Sequence, residues 1–202
     1  MAITHLFTDL GGVLLTNGWD RGLRKLVAEH FQLDAADFDE RHHLTYDTYE
    51  AGKISLSEYL RRTIFWAPRG FTEQQVVDFM LEQARAFPEM IEMYRRVKER
   101  NALKVVVVSN EGRELTADRI RRFDLKSFVD IFVVSSYVHF RKPDEDIFRV
   151  ALDVAQADPA EVVYVDDRQM FAEVACRLGM RDVWHCDLEG TRAAFEALGL
   201  SV

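Results

Sequence analysis

The chain is 202 residues long, with 48% hydrophobic residues, 30% charged residues and a formal charge of -8. That length suits one ordinary domain or a core domain carrying a smaller insert, and the balance excludes disorder and fibrous repeats. The acidity argues against a nucleic-acid backbone binder, which needs clustered Lys and Arg.

The first residues, "MAITHLFTDL", lack the basic region and long apolar core of a signal peptide. No apolar run approaches the roughly 20 residues of a spanning helix. A cytoplasmic protein with neither nucleic-acid nor membrane partners is therefore expected, either a monomer or a homodimer. The run "ITHLF" (3–7) predicts a buried strand that ends at Asp9 and a glycine pair. About ninety residues separate it from the next strand, far more than one crossover helix requires. Helical patterns fall near 19–31, 34–50, 56–66 and 73–85, with capping signals at Ser55 with Glu58 and at Thr72 with Gln75. Residues 17–85 read as an inserted helical cap, and 1–16 with 86–202 as the core. Trp19, Tyr46, Tyr49, Phe65 and Trp66 read mostly as cap core, with one or two of them facing a cleft.

The run "PEMIEMYRRVKER" predicts the core's own crossover helix, and "LKVVVVS" (103–109) the next strand. "IFVVS" (131–135), "VVYVD" (162–166) and "DVWH" (182–185) complete the strands, separated by helical patterns. This alternation predicts an α/β fold, a Rossmann-like parallel sheet flanked by helices. Continuous rather than alternating apolarity fits strands covered on both faces. Pro143 is expected to start a helix, and Gly179 to close "RQMFAEVACRLG". Cys176 and Cys186 fall in different elements and read as buried apolar thiols.

The strong strands end in chemistry: Asp9 after the first, Ser109 and Asn110 after the second, Asp166 and Asp167 after the fourth. In an open parallel sheet such ends converge on one ligand-binding edge, and Lys142 precedes a helix that begins nearby. Three clustered carboxylates repel one another unless a cation joins them, and oxygen ligands suit Mg²⁺. Lys142 would neutralise the nucleophile and phosphoryl oxygens, while Ser109 and Asn110 would hold the phosphoryl group.

In order, "DLGGVL", "VVVSN", "RKP" and "VVYVDDR" resemble the four motifs of the haloacid dehalogenase-like hydrolases, and "YEAGKISLSEYL" resembles that superfamily's α-helical cap between motifs one and two. The resemblance covers nearly the whole chain. It implies Asp9 as a nucleophile that forms an aspartyl-phosphate, with Lys142 as the basic residue and Ser109 as the phosphate-binding hydroxyl. It implies Mg²⁺ held by Asp9, the Gly11 backbone carbonyl, Asp166 and Asp167, with Asp167 the safer ligand. Most phosphatases of the superfamily carry an acid/base aspartate two residues after the nucleophile; here that position is Gly11. Its loss should slow turnover about 10²- to 10⁴-fold and spare good leaving groups, with a water, His42 or His43 as replacements. Arg113 is a candidate loop contact.

The leading expectation is a Mg²⁺-dependent phosphatase acting on a small phosphorylated metabolite, a sugar phosphate among the candidates. The alternatives are a noncatalytic phosphate- or metal-binding regulatory protein and a metal-independent 2-haloacid dehalogenase. Dehalogenases lack the Asp166–Asp167 pair and usually carry an aromatic residue at the place of Gly11.

Overall fold

The computed structural model describes residues 2–202. Five parallel strands, β1 (His5–Thr8), β2 (Lys104–Ser109), β3 (Ile131–Val134), β4 (Val162–Asp166) and β5 (Arg181–Trp184), lie in the order β3-β2-β1-β4-β5. β1 and β4 are buried along their whole length, as their unbroken apolar runs require.

Side chains alternate faces along each strand, and each face has its own helices. On one, Leu6, Val105, Val107 and Val165 meet α5 (Pro88–Asn101) and α10 (Leu188–Ala197) through Tyr94, Val97 and Phe195. On the other, Phe7, Val106 and Val108 meet α8 (Glu145–Ala155) and α9 (Gln169–Arg177) through Phe148 and Val174. Full burial of such a side chain stabilises by about 1.5–3 kcal/mol. The chain also forms α6 (Arg113–Arg122) after β2 and the single turn α7 (Ser135–Val138) after β3.

Between β1 and α5 lie α1 (Arg21–His30), α2 (Ala35–Glu50), α3 (Leu56–Thr63) and α4 (Glu73–Glu82). Asp20, Asp34, Ser55 and Thr72 cap them. Thr72 and Gln75 form the full reciprocal box. Ser55 accepts the Glu58 N–H at 3.1 Å, but the Glu58 carboxylate turns to Arg61 and Arg62. These helices share a separate cluster of Trp19, Leu23, Phe38, Tyr59, Ile64 and Met80, which Leu115 of α6 joins. The two connections to the sheet run side by side: the Thr16 N–H donates to Arg85 O and the Phe87 N–H to Leu14 O, both at 2.9 Å.

Three local expectations need correction. Cys176 and Cys186 are both exposed, because Cys176 lies on the uncovered side of α9 and Cys186 in the loop that follows the edge strand β5. Pro143 does not open α8; Asp144 caps that helix through the Asp146 N–H, and the proline precedes the cap. Trp66 lies outside the helical cluster, half exposed, with the Arg41 guanidinium 4.0 Å from its ring centre. Gly179 does follow α9, with a φ of +96° that suits glycine. Among the described residues no helix is long and apolar enough to cross a membrane.

Candidate active site

The strand order reverses between β1 and β4, since β2 and β3 lie on one side of β1 and β4 and β5 on the other. Thr8 pairs with Val165, so Asp9 stands level with Asp166 at the switch point where open α/β sheets bind ligands. The Asp9 backbone N–H donates to Val165 O at 2.8 Å, and its Oδ1 accepts the Leu10 N–H at 2.8 Å. The chain then turns sharply, with the Gly12 N–H donating to Leu15 O at 2.7 Å. Gly12 has a φ of +78°, and a Cβ there would lie 2.3 Å from Asp167 Oδ2. Both the dihedral and the close approach demand glycine.

Lys142 is 2% exposed, with Nζ 3.1 Å from Asp9 Oδ1, 2.7 Å from Asp166 Oδ2 and 3.0 Å from the Tyr164 hydroxyl. The Tyr164 hydroxyl also donates to Asp166 Oδ2, and Asp166 Oδ1 accepts the Arg168 N–H at 2.8 Å. Asp166 Oδ2 thus takes two protein donors and Oδ1 one, which leaves acceptor capacity on Oδ1. Asn110 fixes the lysine loop from both ends: its Nδ2 donates to Lys142 O and its Oδ1 accepts the Lys142 N–H, each at 2.8 Å.

Asp9, Asp166 and Asp167 offer carboxylate oxygens that all lie within 4.8 Å of one another. Burial pushes the Asp9 carboxyl above its ordinary value, opposed by Lys142, reinforced by Asp166, and opposed again by Ser109. Burial likewise raises Asp167, as does Asp9, against Arg168, Lys142 and Asn17. Burial works against the Lys142 charge, yet Asp166 and Asp9 hold its ammonium above its ordinary value. One ammonium against three carboxylates leaves an excess of negative charge in hard oxygen donors, a set that fits a Mg²⁺ ion. Asp167 and Asp9 are the members that face the cleft.

That cleft has a volume of about 340 Å³. Asp9, Ser109, Lys142 and Asp167 line its sheet side, and Trp19, Arg24, Tyr46 and Glu50 its helical side. Arg141, beside Lys142, bonds Glu50 and reaches Asp47 at 2.5 Å, so an ion-pair network ties α2 to the lysine loop. Of the residues picked from sequence, Asp9, Gly11, Ser109, Asn110, Lys142 and Asp167 share the cleft, with Asp166 directly beneath. His42 does not reach it: its Nδ1 lies 2.8 Å from the Tyr59 hydroxyl, inside the helical cluster, and His43 is exposed. Arg113 is spent on Ser136 O at 2.9 Å.

Sequence reasoning passed over Tyr164, Asn17 and Arg141. Tyr164 had a signal, because it stands two residues before Asp166 and a strand's period of two puts both on one face. Asn17 and Arg141 carried none, since their roles depend on how loops fold back.

A profile of the haloacid dehalogenase-like hydrolases matches residues 3–174. Among characterised proteins, bifunctional epoxide hydrolase 2 of Sus scrofa is 23% identical over 91% of this chain and 36% of its own length. The phosphorylated carbohydrates phosphatase of Thermotoga maritima is 25% identical over 51% of this chain and 50% of its own. The chain thus spans between about a third and half of the length of these relatives. A HAD family enzyme of Bacteroides thetaiotaomicron, solved with magnesium and inorganic phosphate, superposes with a TM-score of 0.75 at 20% identity, covering 89% of this chain and 92% of that one. An L-2-haloacid dehalogenase superposes with a TM-score of 0.62 at 16% identity, covering 89% and 82%. With four motifs meeting at one sheet edge and a family match over most of its length, the chain belongs to the haloacid dehalogenase-like hydrolases.

Proposed function

We propose that the protein is a Mg²⁺-dependent phosphatase that hydrolyses a small phosphorylated metabolite, sugar phosphates among them, through an aspartyl-phosphate on Asp9. The observation that carries this reading is the acidic triad of Asp9, Asp166 and Asp167, with buried Lys142 paired to Asp9 and Asp166 and with Asp9 and Asp167 lining a cleft. The magnesium and phosphate in the Bacteroides enzyme, and the name of the Thermotoga relative, support the same class.

Asp9, Asp166, Asp167 and the Gly11 carbonyl would hold the metal. When bound, Mg²⁺ neutralises the repulsion between an anionic nucleophile and an anionic substrate. The chain's own residues do the rest. The Asp9 carboxylate, oriented by the Leu10 N–H, attacks phosphorus, and the bond to the leaving oxygen breaks. Lys142, kept charged by Asp166, stabilises the phosphoryl oxygens beside Asp9, and Ser109 holds them in place. Water then hydrolyses the acyl phosphate. Residues 17–85 act as the cap that closes over the cleft, and Trp19, Tyr46 and Glu50 face the part of the substrate that is not phosphate.

The test is phosphate release from a panel of sugar phosphates, nucleotides, acyl phosphates and 2-haloacids, with Mg²⁺ or with EDTA. Metal-dependent release that disappears in Asp9→Asn is the expected result. Halide release that EDTA does not touch would establish the dehalogenase instead. Binding of Mg²⁺ and phosphate with no turnover of any compound would establish the noncatalytic protein.

A further inference from the structure

The first atom of a side chain at position 11 would meet Asn17. The turn after this position folds back through a backbone bridge between Gly11 and Leu15, and Asn17 comes to lie over Gly11. A Cβ built on Gly11 would stand 2.9 Å from Asn17 Oδ1 and 3.5 Å from Asn17 Cα. The Asn17 side chain also favours the charged form of Asp167. Gly11, Asn17, Asp9 and Asp167 all line the cleft. We infer that Asn17 takes the place in which a side chain at position 11 would supply the acid/base, and that it confines the enzyme to phosphates whose leaving group departs as a stable anion. Acyl, aryl and anomeric phosphates qualify before simple alkyl esters.

This inference rests on the phosphatase reading. When Asp9 attacks, the bond from phosphorus to the leaving oxygen breaks and its electron pair stays on that oxygen. A carboxylate carries the pair unprotonated at neutral pH; an alkoxide needs a proton as the bond breaks. Asn17 can donate a hydrogen bond but has no proton to surrender. In the second step water attacks phosphorus, the bond to Asp9 breaks with its electron pair on the carboxylate, and both protons of the water leave with the phosphate product. The asparagine is thus a specificity residue.

Asn17→Asp tests the idea with almost no change of volume, placing a carboxyl group over Gly11. The measurement is kcat/KM for acetyl phosphate, p-nitrophenyl phosphate, phenyl phosphate and glycerol 3-phosphate in saturating Mg²⁺. The wild-type values should fall steeply along that series. In Asn17→Asp the ratio of glycerol 3-phosphate to acetyl phosphate should rise by about 10²-fold, the usual worth of a general acid. A flat wild-type series, or an unchanged ratio in the variant, overturns the inference. A second readout needs no turnover: Gly11→Ala should lower the melting temperature in the wild type and lower it much less in an Asn17→Gly background. Equal losses in the two backgrounds would show that Asn17 does not fill the place. If the wild type releases phosphate neither from these four compounds nor from the sugar phosphates and nucleotides of the panel above, the phosphatase reading falls, and the melting cycle still decides where Asn17 sits.

Discussion

Replacing Lys142 with Met offers the sharpest probe of the site's electrostatics. The side chain is almost the same length, so packing is nearly kept, while the ammonium 3.1 Å from Asp9 and 2.7 Å from Asp166 is lost. Breaking a buried ion pair by removing one partner costs about 3–5 kcal/mol, because the other charge stays buried and uncompensated. For a chain of this size each kcal/mol moves the melting temperature by about 2–4 °C, so the variant should melt about 6–20 °C lower in EDTA. Added Mg²⁺ meets three carboxylates with no competing ammonium in the variant, and should therefore raise its melting temperature more than it raises that of the wild type. Differential scanning calorimetry over a Mg²⁺ titration reads both quantities. A loss of only a few degrees, with equal Mg²⁺ responses in the two proteins, would refute the view that this lysine balances the triad. Phosphate release should fall about 10²- to 10³-fold alongside, as for the loss of one preorganised donor to a developing charge.

Gly12→Ala should destabilise by about 1–2 kcal/mol for the left-handed backbone alone. Because its Cβ would stand 2.3 Å from Asp167 Oδ2, calorimetry should also show weaker Mg²⁺ binding, and unchanged affinity would count against Asp167 as a ligand. Arg119 is 1% exposed, bonds Glu111 and Thr16 O, and is pulled down to about 10 by burial. Arg119→Met strands the buried Glu111 carboxylate and should cost about 3–5 kcal/mol in urea melts, a loss that Glu111→Gln in the same chain should partly restore. Burial pulls His42 from 6.5 to about 4, so the folded state binds fewer protons than the unfolded state between those values. Stability therefore rises with pH across that window, by up to about 3 kcal/mol; His42→Gln, which still offers Tyr59 a partner, should flatten the slope, and an unaltered slope would refute the assignment.

The parts of this molecule that could be read directly from the residues are those set by local periodicity. Apolar runs located all five strands within about two residues, most closely β2 and β4, whose runs are unbroken because they are covered on both faces. Ser55 and Thr72 marked helix starts because an N-cap is a contact across three residues. The cysteines were misjudged for the opposite reason. Cys176 is exposed on the uncovered side of α9, and Cys186 follows β5 at the sheet's edge; which side of an element is covered is a property of the whole topology.

The same division runs through the site. Asp9, Ser109, Asp166 and Asp167 were legible because each ends a strand, and a parallel sheet brings strand ends together whatever the intervening chain does. The groups that tune them come from folded-back loops. Asn110 spends its amide on the backbone of Lys142, 32 residues away, and Arg141 crosses 91 residues to reach Glu50. Asn17 lies only six positions after Gly11, yet no spacing rule relates the two, because the turn between them depends on the positive φ of Gly12 and on a backbone bridge to Leu15. A glycine at a catalytic position therefore reads as a missing group in one dimension and as room for a neighbour in three. The chemistry to expect of the site follows from the side chain that takes that room, an amide whose oxygen lies 2.9 Å from where a Cβ on Gly11 would stand.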